Sequence, residues 1–413
     1  MVTAVMPTYG RIDIAFDYGE GSYLYTAAGD RYLDFATGIA TNSLGHAHPH
    51  LVKKLQEQAG KLWHVSNLYN IPEQQRFADR LVDNSFADTV VFCNSGAEAI
   101  EGALKVARKY QFANGKPERD QIVCATGSFH GRTLTTLSAG DNDKYREGFG
   151  PRPGGFKHVA FGNLNEMRAA MDETTAAILV EPIQGEGGDN HFRPEFLIAL
   201  KNLCLENDIL LVFDEVQTGV GITGEMWAHQ HLCKVSCECG SSNRCQPMEP
   251  DIISFGKKTQ CCGIFAGNRI NEVENNVFHE SSRINSTWGG NLVDMVRFTI
   301  YLEIIEQEGL VNNAKQNGEY LLGQLTNLQN EFSDLVSNAR GKGLFCAFDL
   351  HDSDIRDKLA SMLMENNVIV LGSGKKSIRF RPHLNITKGD IAVSYTHLRA
   401  HETEADLVCR LLL

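Results

Sequence analysis

Five short apolar runs, at residues 90–93, 122–125, 177–181, 210–214 and 252–255, are separated by longer stretches of mixed polarity. Runs of that length, bounded by turn-forming residues, predict buried strands. Between them Ala99, Ala103, Val106 and Ala107 recur at helical spacing and predict a helix over 98–110; a second is predicted over 194–206. Strands alternating with helices predict an α/β fold, a mostly parallel sheet covered by helices on both faces. In such a sheet the functional side chains gather beyond the strand ends and in the connecting loops. No repeat or low-complexity linker interrupts the pattern.

Composition narrows the function classes. The chain has 413 residues, 42% hydrophobic and 22% charged, which is ordinary for a globular protein and long enough for two domains. A formal charge of −12 argues against a nucleic-acid or anionic-membrane partner, because such partners select for basic faces. No apolar run approaches the roughly 18–20 residues needed to cross a bilayer, and no secretory signal pattern opens the sequence, so a cytoplasmic setting is expected. Eleven cysteines without an export signal argue against a disulfide framework. Cys233, Cys237, Cys239 and Cys245 cluster as C-x3-C-x-C-x5-C, a spacing open to a structural zinc or to a plain insertion loop. Paired C-x2-C knuckles are missing, and no metal is assigned.

Four segments carry candidate chemistry. Asp214-Glu215-Val216-Gln217-Thr218-Gly219 places a carboxylate at the end of a buried strand. A carboxylate there can be a helix cap, or it can keep the pyridine nitrogen of pyridoxal phosphate protonated, so that the ring withdraws electrons from the substrate carbon. Asn94-Ser95-Gly96-Ala97 turns from strand into helix; its N–H groups and the Ser95 hydroxyl suit either an ordinary N-cap or a phosphate dianion. In Ser128-Phe129-His130-Gly131-Arg132 an aromatic ring can stack on a flat cofactor and an arginine fork can hold a carboxylate. Lys257 and Lys258 follow the last apolar run, where a lysine of depressed pKa can form a Schiff base with an aldehyde.

Together with Gly38-Ile39-Ala40, Leu44-Gly45-His46-Ala47-His48-Pro49, the E-P-I-Q-G-E-G-G run at 181–188 and Asn285-Ser286-Thr287-Trp288-Gly289-Gly290-Asn291, these segments stand in the order found in class III pyridoxal-phosphate aminotransferases, which the chain resembles from about Met6 to about Ile391. Up to about residue 180 it is similar to acetylornithine aminotransferases, through Tyr9-Gly10-Arg11, Trp63 to Tyr69 and Gly148-Phe149-Gly150-Pro151. Over 187–391 it is similar to lysine 6-aminotransferases, through Gly187-Gly188-Asp189-Asn190, Phe255-Gly256-Lys257-Lys258-Thr259-Gln260 and Ser377-Ile378-Arg379-Phe380-Arg381-Pro382. The two likenesses meet inside a run both groups share, as in a natural intermediate or in a composite of related genes.

The resemblance implies a fold type I transferase, with a large cofactor-binding domain over 51–309 and a smaller α+β domain built from 1–50 and 310–391. It implies that Lys257 holds pyridoxal phosphate covalently and that Asp214 pairs with the ring nitrogen. Ser95, Gly96 and Ala97 would hold the phosphate. Phe129, His130 and Val216 would surround the ring, and Gln217 would reach its phenolic oxygen. Thr287 would bind the phosphate of a second subunit, so a homodimer is implied. Arg132, Arg379, Glu186, Asn285, Tyr9 and Arg11 would meet the substrates, with Glu186 a gate that pairs with Arg379 when an ω-amine enters. The implied reaction moves the terminal amino group of lysine, ornithine or N-acetylornithine to 2-oxoglutarate; the narrower alternative is the acetylornithine step of arginine biosynthesis, and an inactive composite is a further one. Decarboxylation and racemisation occur on the same fold, but they have no need of both arginines. The stretch Ser394-Tyr395-Thr396-His397-Leu398-Arg399-Ala400-His401-Glu402-Thr403 resembles translated sequencing-adaptor DNA, so residues 392–413 are set apart as an artefactual tail and the family's C-terminal helix is expected to lapse after Ile391.

Overall fold

A computed structural model of the chain describes residues 4–234 and 248–403. Its centre is a seven-stranded sheet in the spatial order Thr89–Cys93, Cys262–Ala266, Ile252–Phe255, Leu210–Asp214, Thr175–Val180, Gln121–Ala125, Phe156–Val159. All neighbours pair in parallel except Cys262–Ala266, which runs antiparallel to the strands on either side. The period of two along each strand divides the core. Val123, Ile178, Leu211, Phe213 and Ile253 pack into one buried cluster, and Ile122, Leu179, Leu210, Val212 and Ile252 into another. Helix Gly96–Ala113 covers the second cluster with Ala99, Ala103, Val106 and Ala107, the predicted stripe.

The five predicted strands are present, and the predicted 194–206 helix is Pro194–Glu206. Two strands were not anticipated. Cys262–Ala266 hides behind the lysine segment and includes Gly263, whose missing side chain is required because a Cβ would lie 2.2 Å from the Val91 carbonyl. Phe156–Val159 is a short edge strand containing Lys157 and His158, which do not read as an apolar run.

Two four-stranded sheets flank this layer. One joins Phe16–Glu20, Tyr23–Thr26 and Arg31–Asp34 to Val368–Ile369; the other orders Ser337–Lys342, Phe345–Asp349, Ser377–Phe380 and Leu371–Ser373. Val368–Ile369 lies parallel to Arg31–Asp34, so the beginning and the last quarter of the chain meet in one sheet. Among the described residues no helix is long and apolar enough to cross a membrane. The described cysteines Cys93, Cys124, Cys204, Cys261, Cys262 and Cys346 are free thiols. Cys237, Cys239 and Cys245, with the side chain of Cys233, lie outside the described residues, as does the question of a zinc there.

The C-terminal expectation is corrected. Helix Lys388–Thr403 does not stop at Ile391. Thr387 and Asp390 form a reciprocal cap, with Asp390 N–H on Thr387 Oγ1 at 3.1 Å and Thr387 N–H on Asp390 Oδ2 at 3.3 Å. Ile391, Tyr395 and Leu398 then fall at i, i+4 and i+7 and pack on the core, while Arg399 pairs with Glu331. An apolar stripe at helical spacing suffices to extend the helix, whatever the origin of its residues.

Candidate functional site

The C-terminal ends of the parallel strands bring the predicted segments together. Asp214 ends its strand 6% exposed, and three donors fix its carboxylate: His130 Nδ1 at 2.8 Å, the Val216 N–H at 3.1 Å and Ser254 Oγ at 3.4 Å. A buried carboxylate held this way keeps one orientation and presents one edge to a ligand. Its neighbour Glu215 serves the fold instead, accepting from the backbone N–H groups of Ala228 at 2.6 Å and His229 at 3.1 Å and from Thr218 Oγ1 at 3.2 Å.

Burial pushes Glu215 up to about 7 from an ordinary value of 4.5. The folded protein therefore keeps a proton that the unfolded chain releases between those two values, a contribution fully present below 4.5 and lost as pH rises through 7. Glu215→Gln is expected to flatten the fall in melting temperature between pH 5 and pH 8; an unchanged slope would refute this assignment.

The Ser95 turn caps its helix, with Ser95 Oγ accepting the Glu98 N–H at 3.2 Å and Glu98 reaching back to the Asn94 N–H at 2.8 Å. Cap and anion site coincide here, because the exposed turn opens an 18-residue helix whose first N–H groups lack helical partners. Val216 bridges the segments. A Cβ on Gly96 would lie 3.0 Å from a Val216 methyl and one on Gly256 would lie 3.3 Å from the same methyl. Gly131, at φ +134°, packs so closely on Ala97 that a Cβ would come 2.9 Å from the Ala97 Cβ. These side-chain-free strips form a cradle with an anion-ready helix start at one end and a fixed carboxylate at the other. Those are the donor and acceptor sets that fit pyridoxal phosphate.

The two lysines part company. Lys258 is buried and donates inward from Nζ to the Gln217 carbonyl at 2.5 Å. Lys257 is tied by its backbone N–H to the Val216 carbonyl, and its Nζ stands 3.9 Å from a Glu186 oxygen. Burial pulls the Lys257 amine below the ordinary lysine range; Arg379 and Arg381 act in the same direction and Glu186 opposes them. Glu186 is held by Arg379 Nη1 at 2.9 Å. Burial alone would raise its pKa, but the Arg379 charge and hydrogen bond outweigh burial and lower it.

Arg132 is exposed, its guanidinium 3.7 Å from the ring centre of Tyr145 and 5.4 Å from that of Phe129, and it forms no hydrogen bond or ion pair among the described residues. It is thus positioned by stacking, with its fork free for an anion. The remaining predicted residues stand apart. Tyr9 is 76% exposed, Arg11 is also exposed, and neither makes a side-chain hydrogen bond or ring contact among the described residues. Asn285 and Thr287 face solvent, although Ser286 between them bonds Asn94 Nδ2 at 2.7 Å and Glu98 at 3.2 Å.

Sequence reasoning gave no role to Tyr145, Glu181, Asp189, Ser254 or Arg381. Glu181 opens the E-P-I-Q run and accepts the Phe129 N–H at 3.0 Å and the Gly185 N–H at 3.1 Å, joining two predicted segments. Burial pushes it up to about 7, with Asp214 adding and His130 opposing. Its membership of a motif was the available signal. A separate cavity of about 600 Å³ includes Lys201, Asp251 and Arg269, but there both cations are paired with Asp251, at 3.0 and 3.2 Å.

Comparison with known proteins gives the family. The family model for class-III aminotransferases matches residues 5–400. An acetylornithine aminotransferase of Mesorhizobium japonicum is 40% identical over 398 residues, 96% of either chain. A lysine aminotransferase from M. tuberculosis, solved in the internal aldimine form, superposes with a TM-score of 0.86 at 37% identity over 95% of both chains. The ornithine aminotransferase of Toxoplasma gondii ME49 gives a TM-score of 0.87 at 26% identity, over 97% of this chain and 94% of its own.

Proposed function

Because the chain belongs to the class-III aminotransferases, and so is a transaminase that uses pyridoxal phosphate, we propose that it moves the terminal amino group of a basic amino acid, L-lysine, ornithine or N-acetylornithine, to 2-oxoglutarate, giving a semialdehyde and glutamate. The observation that carries this reading is the Glu186–Arg379 pair beside Lys257, at 2.9 and 3.9 Å. Such a pair lets one pocket accept two substrates of different charge.

Pyridoxal phosphate, when bound, supplies an aldehyde for the amino group and a ring that takes up electrons from the amino-bearing carbon. Lys257 is the residue that holds it and then moves the proton at that carbon, a task that its lowered pKa favours. Asp214 keeps the ring nitrogen protonated, and His130 and Ser254 keep Asp214 in place. Ser95, Gly96 and Ala97 would receive the phosphate, Phe129 and Val216 would cover the ring, and Gln217 would meet its phenolic oxygen. Arg132 takes the distal carboxylate of 2-oxoglutarate or the α-carboxylate of the donor.

With an ω-amine donor, Glu186 neutralises Arg379; with glutamate, Glu186 turns aside and Arg379 takes the α-carboxylate. The backbone of that loop is pinned, since Gly374 N–H donates to the Glu186 carbonyl at 3.0 Å and Ser373 Oγ to that of Gly185 at 2.5 Å. The movement is therefore confined to the Glu186 side chain. Glu186→Ala is expected to lower the ratio of kcat/KM for the ω-amino donor to that for glutamate by about tenfold, the equivalent of roughly 1.4 kcal/mol. An unchanged ratio dismisses the gate.

We infer a homodimer. Trp63, Leu68, Tyr69 and Trp288 are 62%, 91%, 66% and 54% exposed, and Asn67 bonds the Ser286 and Gly289 carbonyls at 3.1 Å, so these side chains adjoin the loop that presents Thr287. An apolar patch of this kind needs a cover. A second copy would supply it, with Thr287 directed at the partner's phosphate and Tyr9 and Arg11 free to reach a shared site. A panel of amino donors assayed with 2-oxoglutarate tests the whole reading. One of the three basic donors should give the highest kcat/KM; no transfer from any of them sinks it.

A further inference from the structure

Arg381 lies two residues beyond Arg379 and is fully buried. Its Nε donates to Gln217 Oε1 at 3.1 Å, its Nη2 to Asp189 Oδ1 at 2.5 Å and its Nη1 to the Phe380 carbonyl at 2.8 Å, while its guanidinium lies 3.3 Å from the centre of the Phe345 ring. The backbone is held as firmly, by N–H donation to the Phe35 carbonyl at 2.7 Å and by Thr37 Oγ1 on the Arg381 carbonyl at 2.6 Å. Asp189 is also fully buried. A buried arginine–aspartate pair gives little net stability over apolar packing, so stability alone is a poor reason for this one.

Its consequence falls on Gln217. A guanidinium has donors and no acceptor, so the amide must turn its oxygen toward Arg381. The Gln217 nitrogen is then the end left over, and it makes no hydrogen bond among the described residues. Gly185 walls the amide, since a Cβ there would lie 2.3 Å from Gln217 Oε1. We propose that Arg381 is a positioning residue that fixes the Gln217 amide with its oxygen inward and its N–H groups free for the phenolic oxygen of pyridoxal phosphate, and that Asp189 holds Arg381 in that role. This rests on the reading of Gln217 given under the proposed function.

The test is a binding cycle on the full chain freed of cofactor, titrated with pyridoxal phosphate and followed by visible absorbance. Arg381→Lys keeps a cation for Asp189 but loses the fork to Gln217, and should weaken binding about five- to tenfold, the worth of one hydrogen bond. Gln217→Ala should weaken it similarly, and the double variant should be no worse than the weaker single one. The 3-deoxy analogue of the cofactor, lacking the phenolic oxygen, should bind wild type and Arg381→Lys alike. If Arg381→Lys does not fold, Asp189→Asn is put through the same cycle, with a loss in the same direction expected. Unchanged affinity, or losses that multiply in the double variant, overturns the proposal. A wild-type chain that binds no pyridoxal phosphate sinks this proposal together with its parent reading, whereas normal wild-type binding with indifferent variants sinks this one alone.

Discussion

Lys257→Ala should lower kcat/KM for every amino donor by roughly 10⁴-fold, because on the proposed reading it removes both the covalent anchor and the proton carrier at the reacting carbon. The purified variant should also lose the visible absorbance of lysine-linked pyridoxal phosphate. Lys258→Met is the control: it fills a similar volume and removes only an inward hydrogen bond to the Gln217 carbonyl, so activity should stay within about tenfold of wild type. Steady-state kinetics and an absorbance scan of the two variants decide the matter. If Lys258→Met is the colourless one, the roles of the lysines are exchanged.

The second large effect is expected at Asp214. Asp214→Asn keeps the shape and one oxygen, enough for Val216 and Ser254, but turns an amide nitrogen toward His130 and removes the charge that, on the proposed reading, would hold a proton on the ring nitrogen. Removing one preorganised electrostatic group from a site sheltered from water costs about 10²- to 10³-fold in kcat. Here KM for the donor should change far less, since on the proposed reading Asp214 would meet the ring nitrogen while Arg132 and Arg379 would take the substrate carboxylates. A variant with normal kcat would remove Asp214 from the catalytic group and leave it a strand cap.

Much of this was legible in the chain. The apolar runs match the strands because a sheet covered on both faces buries its central strands, as in Thr175–Val180, Leu210–Asp214 and Ile252–Phe255, and such runs stand out without alternation. The antiparallel strand Cys262–Ala266 was not legible, since its glycine and its place behind the lysines mask the strand signal. The C-terminal helix departs from expectation for another reason: Ile391, Tyr395 and Leu398 present an apolar stripe at helical spacing even in a stretch that resembles adaptor sequence. At the candidate site, Asp214, Ser95, Lys257 and Arg132 stand in segments that a sequence motif singles out, whereas no such signal gives a role to Tyr145 or Arg381. Their roles depend on which side chain they touch, and Tyr145 lies 13 positions from Arg132 in sequence yet beneath its guanidinium in space.

By itself the sequence determined the fold class, the order of the motifs and the family's cofactor, because each is written in local residue patterns that survive any uncertainty about packing. Only the tertiary structure decided that Lys258 turns inward to the Gln217 carbonyl, that Arg379 grips Glu186 beside Lys257, and that Arg381 donates to Gln217. Those facts rest on distances between groups far apart along the chain, and burial turns each such contact from a neutral neighbour into a constraint on charge and proton position.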